Sequence, residues 1–314
     1  MTLLLASSWA DINPYFNKWR ETLSREQRGI DIRMYPDEMG DVADITAALV
    51  WAPPTGLMAS LPNLKLIQSL GMGVDHIFND AELPTDVPVA RIVDPDLVQR
   101  MSEYCVHSVL HYHRDADRYD ADQRETRWRP APYPAANARR VGVMGMGEIG
   151  ADTATKLRAL DFNVAGWSRS LKDVPGVSSF HGDDGFRHFM QRSEYIVCLL
   201  PLTTETEGIL NAKTFNLMPD GGGIINAARG GHVVDDDLIS ALDSGKLSFA
   251  KLDVFRQEPL PAEHPFWRHP KIRITPHNAG ITNPETAAAQ IVDNYRRVLR
   301  GDAPLNIVDP GRGY

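Results

Sequence analysis

The amino-acid sequence predicts an α/β protein built on two doubly wound parallel sheets. Two observations carry this expectation. Short apolar runs recur with helix-length segments between them, and one run leads through a glycine-rich turn into a helical stretch. At 314 residues the chain has room for two domains, and 43% hydrophobic with 24% charged residues is an ordinary globular balance.

The first series of strands is expected at Leu3–Ser7, Ile30–Tyr35, Ala47–Trp51, Leu64–Leu70 and Val89–Val93. After Asp94-Pro95-Asp96 a long helix is predicted from Leu97 to about Ala121, then a Pro- and Arg-rich exposed arm, Arg124–Arg140. A second series follows: Val141–Met144, Asn163–Trp167, Tyr195–Leu200, Gly223–Asn226, Phe249–Val254 and Arg273–Thr275. Six strands alternating with helices fit a complete dinucleotide-binding domain. The tail Glu285–Arg300 places Ala287, Ala288, Ile291, Val292, Tyr295 and Val298 on one helical face. It is expected to return to the first domain. The domains predicted are therefore residues 1–95 with 286–314, and residues 96–285.

A net charge of −8 argues against a nucleic-acid surface. Any anionic substrate then needs a local cluster of positive charge. No stretch approaches the ~20 apolar residues of a membrane span, and the N-terminal run lacks the basic flank of a signal peptide. Cys105 and Cys198 are the only cysteines, and Cys198 lies in an apolar run that suits a buried thiol. These features point to the cytoplasm.

The turn Val141–Gly150 reads as a strand entering G-x-G-x-x-G, with helix after it. Gly145 permits the tight turn, Gly147 lets backbone approach a pyrophosphate, and Gly150 lets the helix pack on the sheet. Met146, Glu148 and Ile149 complete this turn. The next strand ends in Trp167-Ser168-Arg169-Ser170, with Lys172 close by. A carboxylate there would suit a ribose hydroxyl, whereas these donors suit a 2′-phosphate. NADP(H) is therefore the preferred cofactor, with NAD(H) the alternative.

Three further loops follow apolar runs: Asn226–Gly230, Glu258–Leu260 and Thr275–Gly280. They deliver an arginine, a carboxylate and an imidazole to one sheet edge. Hydride transfer to a ketone leaves charge on oxygen, so a proton donor is required. His277 is the candidate acid, Glu258 its carboxylate partner, and Arg229 the fork that holds a 2-keto carboxylate. His107 and His111 have metal-ligand spacing on a helix, but no HExxH or third ligand accompanies them. No metal site is expected.

The chain resembles the D-isomer-specific 2-hydroxyacid dehydrogenases, in particular their short glyoxylate/hydroxypyruvate reductase type. The resemblance runs through Leu70–Ile77, Gly145–Gly150, Leu200-Pro201-Leu202-Thr203 with Thr206, Asn226–Gly230, Leu252–Leu260 and Thr275–His277. It implies a Rossmann-type nucleotide-binding domain and a flavodoxin-like substrate domain, with substrate in the interdomain cleft. It implies Arg229, Glu258 and His277 as the catalytic set, and Met72 and Gly73 as amide donors to the substrate acid. Trp51 is a candidate pocket wall, and Trp267 a weaker one. The cofactor contacts implied are Gly145–Gly150, Ser168–Ser170, Lys172, Leu200, Pro201, Leu202, Thr206, Ala227, Ala228, Arg229, Asp253, His277, Ala279 and Gly280. Asn278 is more polar than the residue often found after the catalytic histidine. Homodimerisation is implied, through the helix from Leu97 and the Arg124–Arg140 arm.

The implied reaction is reduction of glyoxylate or hydroxypyruvate to a D-2-hydroxy acid. A reductase for bulkier keto acids such as phenylpyruvate is the alternative enzyme. A dinucleotide-sensing, corepressor-like binding protein is the non-enzyme alternative.

Overall fold

Apolar runs in the first part of the chain become parallel strands because both of their faces are buried. The computed structural model describes residues 1–9 and 12–309. Here the elements are β1 (Thr2–Ser7), α1 (Asn13–Glu26), β2 (Asp31–Met34), β3 (Ala47–Trp51), β4 (Leu66–Ser69), α2 (Asp75–Phe78) and β5 (Val89–Ala90). On β1, Leu3 and Leu5 join one apolar cluster while Leu4 and Ala6 join another. A strand covered on both sides has no polar alternation, which explains its continuous apolar run. The parallel order is β2-β1-β3-β4-β5, the flavodoxin-like arrangement.

Next come α3 (Pro95–His113), α4 (Ala116–Arg124), β6 (Arg140–Met144), α5 (Glu148–Ala159), β7 (Asn163–Trp167), β8 (Ser178–Phe180) and α6 (Gly182–Arg192). They are followed by β9 (Tyr195–Cys198), α7 (Ala212–Leu217), β10 (Gly222–Asn226), α8 (Asp235–Asp243), β11 (Leu247–Leu252) and β12 (Ile272–Ile274). The sheet order β12-β11-β10-β9-β6-β7-β8 is the Rossmann order with a strand added at the far end. The fold class is thus two parallel-sheet α/β units.

Two expectations are corrected. The single helix from Leu97 is two helices, because Asp115 takes a left-handed conformation at φ 52° between them; aspartate tolerates that region. The second sheet has seven strands, not six. The unexpected strand is β8, short and at the edge, so it carries no apolar run to betray it.

The final helix, α9 (Pro284–Arg300), has Pro284 in its first turn, an Asn283 side chain accepting from the Glu285 amide, and Gly301 as a left-handed C-cap at φ 85°. Its buried face, Ala287, Ala288, Ile291, Val292 and Tyr295, packs with Phe16, Trp19 and Leu23 of α1. The chain divides into Met1–Leu97 with Ile281–Tyr314, and Val98–Gly280.

Candidate active site

Asn226, Leu252 and Ile274 lie in one row across β10, β11 and β12, so the loops that follow leave the sheet at the same level. Gly230 brings two of these loops into contact. A Cβ added there would lie 1.9 Å from the Phe255 carbonyl carbon and 2.3 Å from the Arg256 nitrogen. Only glycine permits that approach, and it sets the Arg229 loop against the Glu258 loop. The Arg229 Nη1 donates to the Ala228 carbonyl at 2.7 Å. Asn226 shapes the turn, accepting from the Ala228 amide at 3.1 Å and donating to the Arg229 carbonyl at 2.9 Å. Buried His232 has one ring nitrogen 3.0 Å from the Arg229 carbonyl and the other 3.2 Å from that of Pro201.

The His277 Nδ1 and Glu258 Oε2 are 2.6 Å apart, with both side chains about one-fifth exposed. The other Glu258 oxygen accepts from the Phe255 amide at 2.9 Å, which fixes the carboxylate plane. His277 itself has φ 52°, the left-handed region. Side chains with a Cβ visit it at a cost, so neighbours must hold it there. Asp253 does so. Its backbone carbonyl accepts the His277 amide at 2.7 Å. Its carboxylate accepts the Thr275 hydroxyl at 2.6 Å, the Asn278 amide at 3.0 Å and the Ala279 amide at 2.9 Å. Asp253, expected beside the cofactor, thus has both oxygens engaged by the histidine loop.

At the glycine-rich turn, Gly145 has φ 95°, and a Cβ on Gly150 would meet the Gly145 carbonyl at 1.8 Å. Gly147 faces open space and caps α5 without a side-chain bond. The first-turn amides of α5 can therefore turn toward an anion. Met146 is buried under Gly166, Glu148 is exposed and Ile149 half-buried. These residues fit a dinucleotide pyrophosphate. After β7, Ser168 is buried and donates to the Ser170 carbonyl at 2.8 Å, while Arg169, Ser170 and Lys172 are exposed. The Glu205 carboxyl is held below its ordinary range, mainly by the Thr203 hydroxyl and least by the Arg169 charge. Thr206 closes the Leu200–Thr206 loop, donating to the Pro201 carbonyl at 2.7 Å and accepting from the Thr203 amide at 2.8 Å. Leu200, Ala227, Ala228 and Ala279 are buried, while Pro201, Leu202 and Gly280 are half-buried.

In the first unit, the Trp51 ring lies over Gly71, where an added Cβ would sit 2.9 Å from it, and 4.4 Å from the His76 ring. Ser69 Oγ ties the following loop, donating to the Gly73 carbonyl at 2.9 Å. Among the described residues, the Met72 and Gly73 amides donate to no protein acceptor. Trp267 is half exposed and donates to the Pro261 carbonyl at 2.9 Å. His111 pairs with Asp117 at 2.9 Å, and no group of three or more metal-binding side chains occurs among the described residues. Among them, too, no helix is long and apolar enough to cross a membrane.

Sequence reading gave no role to Tyr104 or His232 and named Asn226 and Thr275 only as parts of their loops. Tyr104 meets Thr275 171 positions away and His232 meets Pro201 31 away, whereas the Asn226 bonds are local.

Fold and site together define a dinucleotide-dependent oxidoreductase. The family model for the D-isomer specific 2-hydroxyacid dehydrogenase NAD binding domain matches residues 106–279. The glyoxylate/hydroxypyruvate reductase A of Serratia proteamaculans is 41% identical over 309 residues, covering 96% of this chain and 98% of the relative. A Xanthobacter autotrophicus D-isomer specific 2-hydroxyacid dehydrogenase, solved with NADPH and MES, superposes with a TM-score of 0.92 at 42% identity, covering 100% of this chain and 99% of that one. An NADPH-dependent glyoxylate/hydroxypyruvate reductase of Sinorhizobium meliloti, solved with NADP and sulfate, has a TM-score of 0.91 at 34% identity, with 100% and 99% covered. The chain belongs to the D-isomer specific 2-hydroxyacid dehydrogenase family.

Proposed function

We propose that this protein reduces small 2-keto acids, glyoxylate and hydroxypyruvate foremost, to D-2-hydroxy acids with NADPH. The observation that carries the reading is the His277–Glu258 contact at 2.6 Å, on a loop level with that of Arg229. The names and the NADP(H) complexes of the similar proteins support the substrate and cofactor.

When bound, the reduced nicotinamide supplies the hydride. Because His277 Nδ1 faces Glu258, Nε2 is the atom that delivers the proton to the nascent alkoxide. Glu258 fixes the orientation of the ring. The guanidinium of Arg229 binds the keto-acid carboxylate and polarises the neighbouring carbonyl. The amides of Met72 and Gly73 are proposed as further donors to substrate carboxylate, and Trp51 as a pocket wall. The Gly145–Gly150 turn and the α5 N-terminus would hold the pyrophosphate, and Ser168, Arg169, Ser170 and Lys172 the 2′-phosphate. Leu200–Thr206, Ala227, Ala228, Ala279 and Gly280 would flank the rest. We place the protein in the cytoplasm as a homodimer, with residues 1–95 and 286–314 as its substrate domain and residues 96–285 as its dinucleotide domain.

The test is oxidation of NADPH, and of NADH in parallel, across a panel of 2-keto acids. Highest kcat/KM for glyoxylate or hydroxypyruvate with NADPH supports the proposal. Preference for phenylpyruvate, or for NADH, overturns the substrate or the cofactor part respectively.

A further inference from the structure

The left-handed turn at His277 is held by Asp253, and the bonds reach one residue further. The Thr275 hydroxyl lies 2.6 Å from Asp253 Oδ1 and 2.7 Å from the Tyr104 hydroxyl. A hydroxyl has one proton. Thr275 must donate it to the carboxylate, which accepts only, so at the other contact Thr275 accepts and Tyr104 donates. The chain is one-directional, from the Tyr104 O–H through the Thr275 O–H to a carboxylate that is 1% exposed. Burial pushes the Tyr104 phenol well above its ordinary range, so it stays a donor at working pH. The Lys251 ammonium lies 5.6 Å from its ring centroid.

We propose that Tyr104 is a positioning residue for reduction, acting through Thr275 and Asp253 to lock the turn that presents His277. This rests on His277 being the proton donor. A buried hydrogen-bond chain is strengthened by each polarised link and weakened throughout when the outermost donor is lost. Here the loss would let the 275–279 turn relax from its left-handed geometry. Displacements well under an ångström at a proton donor are enough to slow the chemical step. Cofactor affinity would change less than kcat, because the glycine-rich turn proposed to hold the pyrophosphate draws on none of these bonds and only Ala279 and Gly280 flank the cofactor from this side.

Tyr104→Phe keeps the ring and removes only the hydroxyl. We expect kcat to fall about tenfold, with the dissociation constant for NADPH and the KM for keto acid each within about twofold of wild type. Thr275→Ala should fall at least as far, Thr275→Ser should restore most of the rate, and the double variant Tyr104→Phe/Thr275→Ala should be no slower than Thr275→Ala alone. Such non-additivity is the sign of a shared chain. His277→Ala is measured alongside. If it is inactive while Tyr104→Phe turns over like wild type, the positioning role is overturned and the proton-donor reading stands. If His277→Ala retains full turnover, both fall. Equal losses in kcat and in NADPH affinity for Tyr104→Phe would mark general unfolding of the site and also overturn the role.

Discussion

His277 is engaged by its neighbours twice, once at the ring and once at the backbone. Glu258 sits 2.6 Å from its Nδ1, and Asp253 holds its backbone in the left-handed region. Removing the imidazole by His277→Ala should lower kcat by about 10²–10⁴, while NADPH binding, read by fluorescence titration, survives. Unchanged turnover would end the acid assignment. Glu258→Gln removes the carboxylate that meets the His277 ring at 2.6 Å, so kcat should fall while NADPH affinity is kept. A kcat equal to that of wild type would dissociate the pair. Arg229→Lys offers a point charge in place of a fork, and should raise KM and lower kcat together.

At the level of elements, the site is built from strand ends and two glycines. Gly150 lets α5 press against the turn that precedes it, and Gly230 lets the β10 loop touch the backbone after β11. Gly150→Ala should therefore weaken NADPH binding and cost about 1–3 kcal/mol in denaturant unfolding. Gly230→Ala should carry a similar stability cost but act mainly on the substrate side, raising KM for the keto acid because it displaces the Arg229 loop. Equal effects of the two on NADPH affinity would contradict this division. The arm after α4 is held differently. Asp122, buried, takes ion pairs from Arg127 and Arg129, while Trp128 between them is 96% exposed.

Across the whole molecule, burial and charge set the response to pH and to thiol reagents. Burial pushes the Cys105 and Cys198 thiols up to about 12. Native protein should thus leave a thiol-reactive dye unreacted at neutral pH and yield both thiols only on unfolding; rapid native labelling would refute their burial. The Asp122 carboxyl is held below its ordinary range, first by Arg129, and that of Glu285 likewise by Lys18. A carboxyl depressed on folding adds stability above its unfolded pKa of about 4, and the gain is lost as pH falls through the lower folded value. The melting temperature should fall on acidification below about pH 4, and less steeply for Asp122→Asn.

Much of this architecture was written in the chain. Paired burial faces made β1, β3 and β9 continuous apolar runs, and the turn at Gly145–Gly150 needed glycines at fixed offsets, so both could be read directly. Arg229, Glu258 and His277 were legible for a related reason, since each follows a strand closely and local spacing carries it to the sheet edge. The break at Asp115 and the edge strand β8 were not, because neither leaves an apolar signature. Tertiary structure alone decided which residues hold His277. Tyr104 lies 171 positions from Thr275, and Asp253 22 from it, and no periodicity links such distances. The sequence by itself determined most strands, the glycine-rich turn and which residues follow the strand ends. Their geometry depended on hydrogen bonds between remote segments, which exist only once the sheet has brought its strand ends side by side.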